Sequence, residues 1–350
     1  MPSSMLTFKY RIKDSTSSKH LVRLGWAVNT VWNFCNEVSM LALRRDKHWL
    51  STFELINLCA GAGAELGLHS DTISEICREY VAKRVAARKR RLKWRSRKRS
   101  LGWIPFKARF LKIDDDSIKY LKRRFRFWLS RAITGRVKTG SFTQDARGRW
   151  YVNFQCEVED ANVPVGDTEI GIDLGLTNQL WCSDMDEPYS RDNLTRTHED
   201  ALAMAQRANK TKRVKAIHAK IANCRKDWTH KTTTAIVHRA KLIAVGNVSS
   251  TKLVKTRMAK SVLDAGWGQL RTCLEYKAKR LGVIYGEVNE SYSSVTCSAC
   301  GARTGPSGLS ALGVRVWTCA GCGAVHKRDR NAAHNILRCG RATLLGIPRL

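Results

Sequence analysis

The chain has 350 residues, room for two or three domains, and its 43% hydrophobic content with 11 Trp excludes a wholly disordered protein. Its 62 Lys and Arg against 30 Asp and Glu give a formal charge of +32, so a compact fold repels itself unless a polyanion neutralises it. Nucleic acid does so with a gain in counterion entropy. A spanning membrane role is excluded, because no segment approaches the ~20 apolar residues required.

In chain order, residues 5–13 alternate apolar and basic, as in a strand with one wet face. From about Ser17, Leu21, Leu24, Val28 and Val31 recur at helical spacing. A second helix is expected over Asp71–Arg99. It begins apolar and turns basic, with 11 of 17 positions Lys or Arg between Lys83 and Arg99, and reads as a phosphate-contacting helix. Residues 103–160 are β-like. They include the basic aromatic stretch Lys122–Trp128 and a hairpin turning at Asp145–Gly148, with Trp150, Val152 and Phe154 on one face. The first 160 residues read as a β-barrel with a helical insertion, rich in the basic and aromatic mixture that holds a backbone and stacks bases.

The second half opens near Thr168 with strand, tight turn and strand. Helical pattern then fills Thr197–Val237, Lys241–Val245 is a buried strand, Ala259–Leu281 a helix, Gly282–Val288 a strand and Arg328–Arg338 a last helix. Three early strands followed by helix, strand, helix, strand and helix is the order of an RNase H-like domain.

Cys297 and Cys300 are followed after 18 residues by Cys319 and Cys322. Two such pairs close a tetrahedral Zn²⁺ site with no open position, so this zinc is structural. His326 is then expected to be solvated or at a core edge. The other eight cysteines (Cys35, Cys59, Cys77, Cys156, Cys182, Cys224, Cys273, Cys339) show no ligand spacing and read as buried small apolar residues. The N-terminus lacks the apolar stretch of a signal peptide, which points to a reducing, cytoplasmic location. Asp173 lies in Gly171-Ile172-Asp173-Leu174-Gly175, and Asp329 starts the last helix. An Asp before Gly is by itself commonly a turn residue. Two carboxylates on different elements, however, can share the divalent metals that phosphodiester hydrolysis requires.

GIDLGLTN, NESYSSVTCSACG, CAGCG and RDRNAAHNIL together resemble the RuvC-type nuclease and zinc ribbon of the TnpB family. These are insertion-sequence-encoded RNA-guided nucleases related to compact type V CRISPR effectors and Fanzor proteins. The resemblance implies an α/β multidomain architecture. A wedge-like β-barrel is expected over 1–16 and 101–165, and a helical recognition insertion over 17–100. A RuvC-like nuclease domain is expected over 166–293 and 327–350, with the zinc ribbon over 294–326. It also implies a guide RNA and target double-stranded DNA as partners, catalytic Mg²⁺ beside structural Zn²⁺, a nucleoid-associated location and a monomer or homodimer.

The chain departs from the family at one place. The usual catalytic Glu at the end of the strand Ala244-Val245-Gly246-Asn247 is Gly246. A carboxylate at Glu290, at the end of the next strand, resembles a subset in which the acid has moved; Glu287 competes for the role. The resemblance then implies an Mg-dependent RNA-guided DNA endonuclease using Asp173, Glu290 and Asp329. The alternative is a nuclease-dead guided DNA-binding protein that represses its target.

Overall fold

The computed structural model describes residues 3–13, 15–88, 91–160, 165–247, 259–308, 311 and 313–346. The chain divides into two units, Met1–Glu159 and Asp160–Leu350.

The first unit begins with β1 (Ser3–Arg11) and a long helix, α1 (Ser15–Asp46). Leu21, Leu24, Val28, Val31, Trp32 and Cys35 are buried along one face of α1, the three- and four-residue spacing seen in the sequence. Two short helices follow, α2 (Thr52–Leu58) and α3 (Ala62–Leu66). A capping box closes the start of α2: the Ser51 hydroxyl accepts from the Glu54 amide, and the Glu54 carboxylate accepts from the Ser51 amide.

The next helix, α4 (Ser70–Ala87), stops twelve residues short of Arg99, with Arg88 left-handed at its end. The basic stretch beyond it is therefore not a helix. Lys89 and Arg90 lie outside the described residues, and residues 92–96 form an irregular strap along α1. The Asn36 amide accepts from the Leu92 N–H and donates to the Leu92 carbonyl, at 3.1 and 2.8 Å. One turn back, Asn33 does the same for Arg95, both at 2.8 Å. Asn29 accepts from the Arg95 guanidinium. Lys and Arg are good helix formers, but these side-chain pairs satisfy the backbone another way.

The strands that follow form two sheets. β1, β2 (Trp103–Lys107), β6 (Arg136–Gln144) and β7 (Trp150–Glu159) pair antiparallel in the order β1-β7-β6-β2. The second sheet is β3 (Lys112–Asp114), β4 (Ser117–Tyr120) and β5 (Arg123–Arg126). An Ile12–Phe127 bridge joins the two. They share an aromatic core: the Phe125 and Phe142 rings lie 5.1 Å apart, Phe106 and Phe142 5.3 Å, and Phe127 and Phe154 5.7 Å. The Asp145–Gly148 turn stands where the sequence places it, with Trp150, Val152 and Phe154 facing inward. In Lys122–Trp128 the two phenylalanines are buried, while Arg123, Arg124, Arg126 and Trp128 face solvent.

The second unit is built on β8 (Thr168–Asp173), β9 (Trp181–Cys182), β10 (Ala240–Gly246) and β11 (Ile284–Val288), in the order β11-β10-β8-β9. β10 runs parallel to both β8 and β11, and β9 is antiparallel to β8. The third early strand expected from the sequence is reduced to one Leu180–Tyr189 bridge. Three helices, α5 (Leu194–Thr197), α6 (Glu199–Arg207) and α7 (Thr211–Arg239), occupy the first helical stretch. The expected helix over 259–281 is two, α8 (Ala259–Ala265) and α9 (Trp267–Arg280), broken at left-handed Gly266. The last helix is α10 (Arg328–Leu344).

Alternate strand residues pack on opposite faces of this sheet. Ile170, Ile172, Ile243 and Val245 cluster with Ile236, Val237, Leu270 and Leu274 of α7 and α9. Leu242, Ala244 and Val288 cluster with Ile336 and Leu337 of α10. A sheet covered on both sides accounts for the apolar run Leu242–Val245 of β10. A side chain at Gly171 would collide with the α10 backbone at Ala333 and Leu337, so this glycine lets the helix lie directly on β8. No helix among the described residues is long and apolar enough to cross a membrane.

Candidate functional site

Parallel pairing brings the carboxyl ends of β8, β10 and β11 to one edge of the sheet. Asp173 ends β8 and Gly246 ends β10, while Val288, opposite Gly246, ends β11 two residues before Glu290. The Asn247 amide donates to the Val288 carbonyl, and the Glu290 amide to the Asn247 side chain, which fixes the chain beyond β11 against the end of β10. Asp329 enters from the first turn of α10.

Burial pushes the Asp173 carboxyl up to about 8, and the negative charges of Asp329 and Glu290 add to the shift, while Arg328 opposes it. The three acids named from the sequence thus act on one another through space. Glu287 takes no part in this: it is on the exposed side of β11 and pairs with Arg271 at 3.2 Å. Side-chain geometry at Gly246 is informative as well. A Cβ built there would overlap Glu290 Oε2 and press on Ile336, so the Glu290 carboxylate fills the space that a side chain on β10 would occupy.

Two residues that sequence reasoning missed hold Asp329. Asn178 donates to its Oδ2 at 3.4 Å, and the Arg315 guanidinium lies 3.6 Å from Oδ1 while also donating to Thr177. Asn178 closes the GIDLGLTN motif, so a signal was present. Arg315 had none.

Because Asp173 is buried and the charges of Asp329 and Glu290 stand beside it, the folded chain keeps a proton on Asp173 that the unfolded chain releases at the ordinary carboxylate range. Between that range and about pH 8 folding binds the extra proton, and stability falls as pH rises through the window. In Mg-free buffer the folding free energy of the wild type is expected to decline from about pH 5 to pH 8 by no more than about 1.4 kcal/mol per pH unit, and its melting temperature to fall with it. Asp173→Asn is expected to flatten that decline, which parallel thermal melts of the two proteins measure.

The four ribbon cysteines converge with all sulfurs within 4.8 Å of one another. Cys297 and Cys322 are 3.7 Å apart, Cys300 and Cys319 3.6 Å. Gly301 and Gly323 are left-handed after each pair, and their amides donate back to Cys297 and Cys319. The Thr304 hydroxyl, aided by the amides of Gly321 and Cys322, draws the Cys319 thiol down to about 6. A strand pair, β12 (Val316–Thr318) and β13 (Val325–Lys327), carries the second half. The donor set and spacing fit Zn²⁺. His326, expected to be solvated or at a core edge, is half-buried at the ribbon's core, with Nε2 3.0 Å from Cys297 Sγ and its ring tilted against Trp317 at 4.9 Å.

α10 is clamped to the ribbon's first loop. Asn331 and Asn335 both donate to the carbonyls of Ser293 and Thr296, and the Asn331 carbonyl accepts from Ser298.

The cysteines outside the ribbon are not all as expected. Cys224 is exposed on α7, and Cys339 is half-buried at the edge of the core between α10 and the sheet. Cys35, Cys59 and Cys77 converge in the first unit.

A carboxylate-edged α/β sheet interrupted by a four-cysteine ribbon defines the class, and comparison with known proteins narrows it. Residues 153–257 match the family described as "Probable transposase" (OrfB_IS605), and residues 267–336 the Cas12f1-like TNB domain. The chain is 33% identical over 217 residues to a "Putative RNA-guided DNA endonuclease" of Streptomyces pristinaespiralis, covering 58% of this chain and 53% of that one. It is 28% identical over 251 residues to InsQ of Escherichia coli (strain K12), of the same description, covering 63% and 60%. The chain spans little more than half the length of these curated relatives. Three TnpB-like proteins of Acanthamoeba polyphaga mimivirus match at 28% identity over 131 residues, 35% of this chain and 24% of each. The fold is shared with a Cas12f1 chain solved by cryo-EM with sgRNA and target DNA, at a TM-score of 0.60 and 13% identity over 93% of this chain and 83% of that one. The chain is therefore similar, over its second half, to the OrfB_IS605 and Cas12f1-like families and to TnpB-like proteins.

Proposed function

We propose that the chain is an RNA-guided DNA endonuclease that pairs a bound RNA with one strand of a duplex beside a short flanking motif and cuts that DNA. The observation carrying this reading is the meeting of Asp173, Glu290 and Asp329 from three separate elements at one sheet edge, with Glu290 in the space left by Gly246. On this reading the sheet is the core of an RNase H-like (RuvC) domain over 166–293 and 327–350, with a structural zinc in the ribbon. Residues 1–16 and 101–165 form the wedge-like barrel, and 17–100 the recognition insertion.

The three carboxylates supply the hard oxygen donors that Mg²⁺ prefers. When bound, a pair of such ions supplies an activated water and stabilises the departing oxygen. Asn178 and Arg315 orient Asp329, and Asn247 positions the Glu290 backbone. The formal charge of +32 suits a protein that holds RNA and duplex backbone. In the first unit, Arg123, Arg124 and Arg126 on β5 and the basic strap along α1 are the backbone contacts we favour.

The test is purification of the wild type with its RNA, sequencing of that RNA, and incubation with matched DNA carrying randomised flanks. Mg-dependent cutting of matched DNA only is expected. Guided binding without cutting under every flank would leave the nuclease-dead alternative, to which Gly246 points. Protein that is free of nucleic acid and monodisperse at low salt would count against the guide.

A further inference from the structure

Three cysteines far apart in sequence meet in the helical part of the first unit. Cys35 lies in α1, Cys59 caps the end of α2 and Cys77 lies in α4. Their sulfurs are all within 4.8 Å of one another, and none of the three residues is more than 5% exposed. Cys35 and Cys77 are separated by 3.8 Å, against 3.7 and 3.6 Å in the ribbon. With metal–sulfur bonds of about 2.3 Å, thiolates around one ion sit roughly 3.8–4.0 Å apart, whether tetrahedral or trigonal. The Cys35–Cys77 pair therefore has the spacing of two ligands on one metal rather than that of a disulfide, whose sulfurs are about 2 Å apart, and the Cys59 sulfur lies within 4.8 Å of both.

Two turns beyond Cys77 on α4, the buried guanidinium of Arg84 donates to Ser39 and the Leu50 carbonyl. No carboxylate pairs with it among the described residues, so the same helical layer holds a buried positive charge.

We propose that Cys35, Cys59 and Cys77 form a second, three-thiolate site for one thiophilic d10 ion, Zn²⁺ or Cu⁺. Loading forms three metal–sulfur bonds and releases the thiol protons to solvent. Among the described residues no fourth His, Cys, Asp or Glu joins the cluster at this distance. Three-coordination suits Cu⁺ better than Zn²⁺, which favours four ligands. The bound ion staples α1, α2 and α4 together, the layer on which the basic strap lies.

The test uses the full chain, reduced and loaded in separate arms with Zn²⁺ and with Cu⁺, then freed of loosely held ions by gel filtration. About two ions per chain are expected in at least one arm, one for each thiolate site. Cd²⁺ in place of Zn²⁺, and Cu⁺ itself, should each give a thiolate-to-metal ultraviolet band that grows with the second equivalent; an ion held by carboxylates gives none. Cys59→Ser and Cys77→Ser should each lose one equivalent and keep the ribbon's. A wild type that saturates at about one ion in both arms overturns the proposal even if the variants fail to fold. So does a Cys35–Cys77 disulfide found by intact mass in freshly purified protein.

Discussion

Glu290→Ala is expected to abolish cleavage of guide-matched DNA in Mg²⁺ while leaving guided binding nearly intact. Removing one carboxylate from a shared metal cluster withdraws several kcal/mol of transition-state stabilisation, on the order of a thousandfold in rate. Binding rests instead on base pairing and backbone charge. Asp173→Ala and Asp329→Ala should behave alike. Glu287→Ala should be mild, because that side chain is exposed and tied to Arg271. Gly246→Glu in the Glu290→Ala background places a carboxylate in the vacated space and is expected to return a measurable fraction of activity. Single-turnover cleavage and filter binding on the same preparations separate the two effects. Glu290→Ala cutting at the wild-type rate would sink the relocated acid.

Loss of the ribbon metal should have the second large effect. Cys297→Ser is expected to remove the ribbon's zinc, lower solubility and cost activity together. A closed four-thiolate site contributes on the order of 10 kcal/mol of apparent folding energy at neutral pH. The ribbon interrupts the domain between Glu290 and Asp329, and Asn331 and Asn335 tie α10 to the ribbon's first loop. An unfolded ribbon frees the helix that carries Asp329. Elemental analysis, thermal melts and limited proteolysis of the 294–326 stretch should change together. A variant that keeps full activity after losing its zinc would show that the clamp is dispensable.

Much of this was legible in the sequence, where local pattern and final structure agree. The apolar face of α1 and the hairpin at Asp145–Gly148 follow from periodicity and turn chemistry, and the ribbon from its spacing. What was not legible depends on contacts distant in sequence. Residues 91–99 read as helix by composition, yet Asn33 and Asn36 draw Leu92 and Arg95 into a strap. Cys35, Cys59 and Cys77 carry no local spacing, and only the packing of α1, α2 and α4 brings them together. The third early strand, counted but not placed from the sequence, is only a Leu180–Tyr189 bridge, too little pairing to leave a periodic pattern. In the acid cluster Asp173 and Asp329 stood out by motif and helix start. Glu290 needed the family pattern and the vacancy at Gly246.

The overlap between position 246 and the Glu290 carboxylate also bears on how such a chain changes over generations. With the backbone as it stands, an acid on β10 and an acid beyond β11 compete for one volume, so a lineage cannot gain the second before giving up the first without strain. On the function proposed above, the exchange passes either through a crowded intermediate or through one that binds targets without cutting them. Each acid is thus beneficial or harmful according to the residue at the other position. Non-cutting guided binders would then arise as waypoints between two active arrangements rather than only as their decayed descendants.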